Sequence, residues 1–181
     1  MDIKEKALLY RAHAGDRGAA GALYELYYRD IYSYVYYRVN NASAAEDLSA
    51  EVFVRMIRYL PGFLDQGKPF IAWLYGLAQK VVQEYTRESS QCIVRTPSNG
   101  RTRRSNGKTP GNHEHHPVGC FQSALQQLSE THQEIIIHRF VEGRSVQDIA
   151  DLINQSERAV RTLQLNALKS LEAVLSRENC I

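Results

Sequence analysis

What most constrains this chain is a break in its middle. From Ser90 to Gly119 apolar periodicity vanishes, and Pro97, Gly100, Gly107, Pro110, Gly111 and Pro117 stand among Ser, Asn, Thr and Arg. Connections inside one compact domain seldom exceed about 12 to 15 residues, so such a stretch separates domains. The expected division is 1–89, a flexible basic linker 90–119, and 120–181. Between Ser89 and Gly119 the charges are Arg95, Arg101, Arg103, Arg104 and Lys108 against Glu114 alone, whereas beyond Gly119 acids outnumber bases. A net charge of +2 therefore hides a positive middle.

Both flanking segments predict helices, because apolar residues recur at three- and four-residue spacing and hairpin dipeptides are missing. Before the linker the pattern gives helices over 4–14, 18–39, 43–60 and 70–88. The second carries Leu23, Leu26, Tyr27, Ile31, Tyr34 and Val35 on its inner side. The third opens on Ser43-Ala44-Ala45-Glu46, read as a capping box. It turns Leu48, Val52, Met56 and Tyr59 inward and leaves Asp47, Glu51, Arg55 and Arg58 as an exposed charged stripe. The fourth puts Trp73, Leu74, Leu77, Val81 and Tyr85 in register, with Trp73 placed mainly in the core. The fold class is all-α, an N-terminal helical bundle joined to a C-terminal helix-turn-helix domain.

After the linker the expected helices are 121–128, 130–141, 145–153 and 156–177. Ser145-Val146-Gln147-Asp148 is a second capping box, Asn154-Gln155 makes a tight break and Ser156 caps the last helix. Helix, three-residue turn, helix is the pattern of a DNA-reading pair. Stepping about 100° per residue puts Val160, Leu163, Ala167, Leu171 and Val174 on one face. The opposite face presents Arg158, Arg161, Thr162, Leu165, Asn166 and Lys169 to a major groove about 12 Å wide, with the helix start at Ser156 able to approach a phosphate.

Several classes are excluded. With 44% hydrophobic and 23% charged residues the chain is a globular protein, not a disordered one. No apolar run approaches the roughly 18 to 20 residues of a membrane span, and the first six residues carry acids and no signal-peptide core, so a cytoplasmic location without membrane insertion is expected. Cys92, Cys120 and Cys180 lack zinc or redox-motif spacing and read as free thiols. His113, His115 and His116 with Cys120 do not make a metal site, and His13, His132 and His138 stand singly as surface or boundary residues. No nucleophile with its base and no phosphate-cradling glycine loop is present, so neither an enzyme nor a cofactor is expected.

Two blocks resemble the extracytoplasmic-function (ECF) sigma factors of bacterial RNA polymerase. Ala45-Glu46-Asp47-Leu48-Ser49-Ala50-Glu51-Val52-Phe53-Val54-Arg55 is similar to the acidic helix of the family's second region. Phe70-Ile71-Ala72-Trp73-Leu74-Tyr75-Gly76-Leu77-Ala78 is similar to the aromatic stretch that handles the −10 promoter element. Leu128-Ser129-Glu130, Ile135 through Ser145, Ile149-Ala150 and Val160-Arg161 resemble the fourth region, which reads the −35 element.

The resemblance implies that Asp47, Glu51, Arg55 and Arg58 dock the clamp coiled coil of the largest subunit of core RNA polymerase. It implies that Phe63, Phe70 and Tyr75 take unstacked promoter bases, with Lys68, Lys80 and Arg87 on the −10 DNA, and that the outer face of the last helix reads the −35 element. An anti-sigma partner is implied as well. The chain departs from the family at Ala50, Gln79, Glu88, Ser129, Gln155, Leu165 and Asn166, several of these less basic than usual, which implies DNA binding that depends on the polymerase. A stand-alone helix-turn-helix regulator and a sigma-like adapter that reads no promoter are the competing readings.

Overall fold

The computed structural model describes residues 3–63, 69–94 and 117–178. Four helices precede the segment 95–116: α1 (Ile3–His13), α2 (Arg17–Val39), α3 (Ala42–Tyr59) and α4 (Phe70–Val94). Four follow it: α5 (Pro117–Gln126), α6 (Glu130–Ile136), α7 (Val146–Ile153) and α8 (Glu157–Arg177). No strand occurs among the described residues, as the apolar spacing predicts. None of these helices is long and apolar enough to cross a membrane.

Polar caps set the helix limits. Asp16 starts α2 by accepting the amides of Gly18 and Ala19, and Arg11 donates to its other oxygen at 2.6 Å. Asn40 ends α2 in the left-handed region at φ 51°, and Asn41 then caps α3 by accepting the amide of Ala44. The expected cap at Ser43 is thus displaced by two residues, because an asparagine pair can close one helix and open the next without a linker. At the other end α4 runs on to Val94, six residues past the expected stop, since the first breaker after Glu88 is Pro97. α5 likewise begins early, at Pro117, a residue whose fixed φ suits a first helical turn.

In the first group α2 is the central helix, packed against α1, α3 and α4. Leu23, Ile31, Tyr34, Val35, Val52, Met56, Phe70 and Leu74 are almost wholly removed from water. Two inward placements fail. Leu26 and Tyr59 are exposed, and Phe53 is buried instead, packing edge-on to Tyr24 with ring centroids 4.7 Å apart. Trp73 is only partly buried.

The second group is built around Ile135, Ile136, Ile137, Ile149, Val160 and Ala167. Ser145 and Asp148 form the reciprocal capping box at the start of α7, Asn154 leaves it at φ 54°, and Ser156 caps α8. The expected hairpin is therefore present, and α8 turns Val160, Ala167 and Leu171 inward with Leu163 and Val174 half-buried beside them. Free thiols were the expectation, but Cys120 is disulfide-bonded.

The two groups touch. α2 packs against α5 and against a π-helical turn, Ile137–Val141, that continues α6, and α4 packs against α7.

Because Ile149 is fully buried while Leu165 is half-exposed on the outer face of α8, the two positions separate folding from surface. Ile149→Ala is expected to cost about 2 to 5 kcal/mol and Leu165→Ala about 0.5 kcal/mol or less, read from urea unfolding followed by circular dichroism. Equal losses at both positions would overturn this packing scheme.

Candidate functional site

Three surfaces collect the residues singled out in the sequence. On α3, Asp47 and Arg58 are exposed and Glu51 is partly so. Arg55 is held in place: its Nε donates to Glu51 at 2.7 Å and its two terminal nitrogens to Glu84 of α4 at 3.0 and 2.7 Å. Those carboxylates push the guanidinium pKa further up. At about 100° per residue Val54 falls about 20° from Asp47 and about 40° from Arg58, and Ile57 lies at the edge of the same face. Val54 is 48% exposed and Ile57 58% exposed. Two uncovered aliphatic side chains inside a charged stripe suit a protein partner better than a merely solvated face. The charge pattern alone drew attention away from both.

On α4 the proposed −10 residues do not converge. Phe70 is fully buried, with Tyr27, Phe63 and Trp73 rings at 5.8, 5.3 and 5.3 Å, so in this arrangement it supports the fold and offers no face to a base. Phe63 is partly buried and also contacts Trp73 at 5.0 Å. Lys80 and Arg87 are exposed, and both help Arg55 hold the Glu84 carboxyl below its ordinary range, Arg55 first. Trp73 lies seven residues before Lys80 and fourteen before Arg87, so it shares their face, whereas Tyr75 points about 140° away. The aromatic side chain beside the two cations is therefore Trp73, the one assigned to the core, and its heptad spacing from them was the available signal. Lys68 and the histidine cluster 113–116 lie outside the described residues.

Tyr75 instead enters the junction between the two groups. It is 7% exposed, and its hydroxyl donates to Glu142 Oε2 at 2.8 Å. The same carboxylate oxygen receives Arg144 Nε at 2.7 Å and pairs with His138 Nδ1 at 2.9 Å. Arg144 also donates to the Tyr75 oxygen at 3.0 Å and crosses to Asp30 of α2 at 2.7 Å. Tyr34 stacks on His138 at 5.8 Å and tilts against Tyr75 at 5.1 Å. A second link joins Arg38 to Glu134 at 3.1 Å, the guanidinium lying over the Tyr34 ring. Burial pushes the Glu142 carboxyl up, but the bonds from His138, Arg144 and Tyr75 outweigh it and leave it below the ordinary range. Burial also pushes Asp30 up, against the pull of Arg144, and pushes Tyr34 and Tyr75 far above an ordinary phenol. His138, expected to be a surface or boundary residue, is 2% exposed.

The outer face of α8 is open. Ser156, Arg158, Arg161, Thr162, Leu165, Asn166 and Lys169 are all exposed. Ser156 accepts the Ala159 amide through its hydroxyl, and Arg161 meets Glu157 one turn back at 3.2 Å. Such an exposed pair binds weakly enough to be exchanged for a phosphate.

A family model described as Sigma-70 region 2 matches residues 23–91, and one described as Sigma-70, region 4 matches residues 119–171. The chain is 32% identical over 170 residues to the ECF RNA polymerase sigma factor BldN of Streptomyces coelicolor, covering 93% of this chain and 64% of that protein. It is 30% identical over 172 residues to the ECF RNA polymerase sigma factor SigD of Mycobacterium tuberculosis, covering 92% and 81%. Among solved structures, CnrH in complex with the cytosolic domain of CnrY superposes with a TM-score of 0.64 at 18% identity, over 96% of this chain and 97% of that one, a likeness of fold.

Arg55 bridges two helices with a partner, Glu84, that is itself half-exposed. A double-mutant cycle with Arg55→Met and Glu84→Gln should give a coupling of about 1 kcal/mol or less that shrinks in 0.5 M salt. A larger, salt-insensitive coupling would make the pair a structural tie instead of an exchangeable one.

Proposed function

We propose that this chain, which belongs to the ECF sigma factors of the sigma-70 family, binds core RNA polymerase through α3 and carries it to promoters read by its two helical groups. The observation that carries this reading is the match of region 2 and region 4 models, in family order, to the two groups on either side of the basic segment. The proposed units are 1–89 for polymerase binding and the −10 element, 90–119 as linker, and 120–181 for the −35 element. As a sigma factor it is a subunit that lends specificity to the polymerase, with no chemistry of its own, and its proposed location is cytoplasmic.

On α3 the docking face is Asp47, Glu51, Val54 and Arg58, with Ile57 at its rim and Arg55 available from its exchangeable pairs. A partly apolar helix face with two acids and two arginines fits a coiled coil that offers charges of both signs and aliphatic side chains. On α8, Arg158 and Asn166 can read base edges, Leu165 can meet a thymine methyl, and Arg161, Lys169 and the α8 start at Ser156 can hold phosphates. Thr162 stands between them. For the −10 element, Phe63, Trp73, Lys80 and Arg87 form the accessible set, Lys68 is retained from the sequence, Tyr75 requires the rearrangement considered below, and Phe70, enclosed by Tyr27, Phe63 and Trp73 of its own group, would need a local opening of that core. An anti-sigma factor is the further partner proposed for a chain of this family.

The charge balance sets the mode of action. Beyond Gly119 acids exceed bases, so phosphate attraction alone gives α8 little affinity, and the polymerase must hold it on the DNA. Purified chain with core polymerase should start transcripts at defined promoters, whereas the chain alone should protect no DNA. Tight specific binding without polymerase would favour the stand-alone regulator, and a holoenzyme that starts no specific transcript would favour the adapter. Asp47→Arg and Val54→Asp should each weaken core binding at least about tenfold, a loss of 1.4 kcal/mol or more. In the holoenzyme, Arg158→Ala should cost about 1 to 3 kcal/mol and relax specificity at one −35 position, while Lys169→Ala should lower affinity for all sequences and reduce the salt slope by about one. Unchanged core affinity in both α3 variants would refute the docking face.

A further inference from the structure

From the junction between the helical groups we infer that the free chain latches itself closed: Glu142 and Arg144 grip Tyr75 and Asp30 and keep Tyr75 from promoter DNA until the groups part. The inference rests on the sigma-factor reading, which supplies the role of the α4 aromatic stretch.

Three features carry it. First, the contact is made by a built element. The π turn lets the Glu142 amide reach the Ile137 carbonyl, five residues back, at 3.0 Å, and Gly143 at φ 70° then reverses the chain so that Arg144 folds back over Glu142. The Arg144 amide donates to the His138 carbonyl at 2.9 Å and its carbonyl receives Arg139 at 2.7 Å, which fixes the side chain toward the first group. π turns inside helices often mark functional positions.

Second, beside its ring contacts, Tyr34 and Tyr75 with His138 and Tyr37 with Phe121, the junction depends on charged pairs that water can compete for. Two guanidinium–carboxylate pairs cross the junction, Arg144 with Asp30 and Arg38 with Glu134. Around them buried polar atoms remain unmatched: Glu142 Oε1 and Arg38 Nε have no hydrogen-bond partner among the described residues. A network satisfied only in part holds two surfaces in register without making them inseparable. Interfaces of this kind within a chain belong to the class that opens and closes.

Third, the closed state occupies a residue with a second use. Tyr75 lies within the stretch that resembles the −10 element reader, yet its ring packs between Tyr34 and His138 at 5.1 and 4.6 Å and its hydroxyl is bonded on both sides. One side chain cannot fill that pocket and stack on a base together, so closure and promoter melting exclude each other.

The test uses the full chain with core polymerase. Asp30→Asn removes the charge on the first group at a partly exposed position, and Arg144→Met removes the grip from the second. Wild-type protein should give a compact radius in small-angle X-ray scattering, and both variants a larger one with helical content retained by circular dichroism. At limiting protein, promoter-specific transcript should rise about fivefold or more in the variants, because a binding-competent state held at a small fraction lowers apparent affinity by that fraction. An Asp30→Asn chain as compact and as active as wild type overturns the latch, and so does expansion without any gain in transcript. Absence of transcript from wild type and variants alike, at saturating protein, instead refutes the sigma-factor reading, a result the scattering arm keeps apart from failure of the latch.

Discussion

A buried carboxylate has to be met by donors, and the way Glu142 is met determines how this chain is arranged. Its side chain is 3% exposed, and one oxygen gathers His138 and Arg144 from its own group and Tyr75 from the other. Leaving a charge of this kind without partners costs several kcal/mol, so the donors and the carboxylate select one another's positions. Tyr34, Tyr75 and His138 then stack into the space that the ion pairs define. The junction is thus specified by polar geometry, while the cores on either side are specified by aliphatic packing.

Local chemistry made much of this visible in the sequence. The capping box at Ser145, the break at Asn154 and the cap at Ser156 were readable because each satisfies its own neighbouring amides. The outer face of α8 followed from helical periodicity alone. On α3 the same periodicity misplaced Tyr59, which lies exposed near the helix end, while Phe53, about 120° away in direction, is buried against Tyr24 of α2. The junction was not legible at all. Its members, Asp30, Arg38, Tyr75, Glu134, His138, Glu142 and Arg144, are polar residues that any surface helix can carry, and they become a network only through contacts between residues 67 to 114 positions apart. The π turn left no mark either, since its five residues, Ile137–Val141, continue an ordinary helical pattern.

The division between the accessible and the sequestered faces of α4 follows from one helix having two neighbours. α3 covers one flank and fixes Glu84 through Arg55, leaving Trp73, Lys80 and Arg87 on the rim. The second group covers the other flank and takes Tyr75. The first flank carries an aromatic surface together with the cations Lys80 and Arg87, the combination that handles unstacked bases, and the second carries the aromatic ring of Tyr75. Only the first is open in the closed chain.

That asymmetry bears on the order of events when the polymerase is met. A ligand shifts an equilibrium only by the difference in its affinity for the two states. The α3 face of Asp47, Val54 and Arg58 is exposed while the junction is formed, so a partner that touches α3 alone binds the closed and open chains equally and leaves the latch as it was. Opening needs a contact that the closed chain cannot make, which means one that holds α8 at a distance from α4 or one that stacks on Tyr75. Docking through α3 would raise the local concentration of such a second site to a level set by the length of 95–116, turning a weak contact into an effective one. If the latch holds as proposed, such a chain would stay closed in the presence of DNA alone and would become competent for promoter opening only where the second attachment is offered at the right separation.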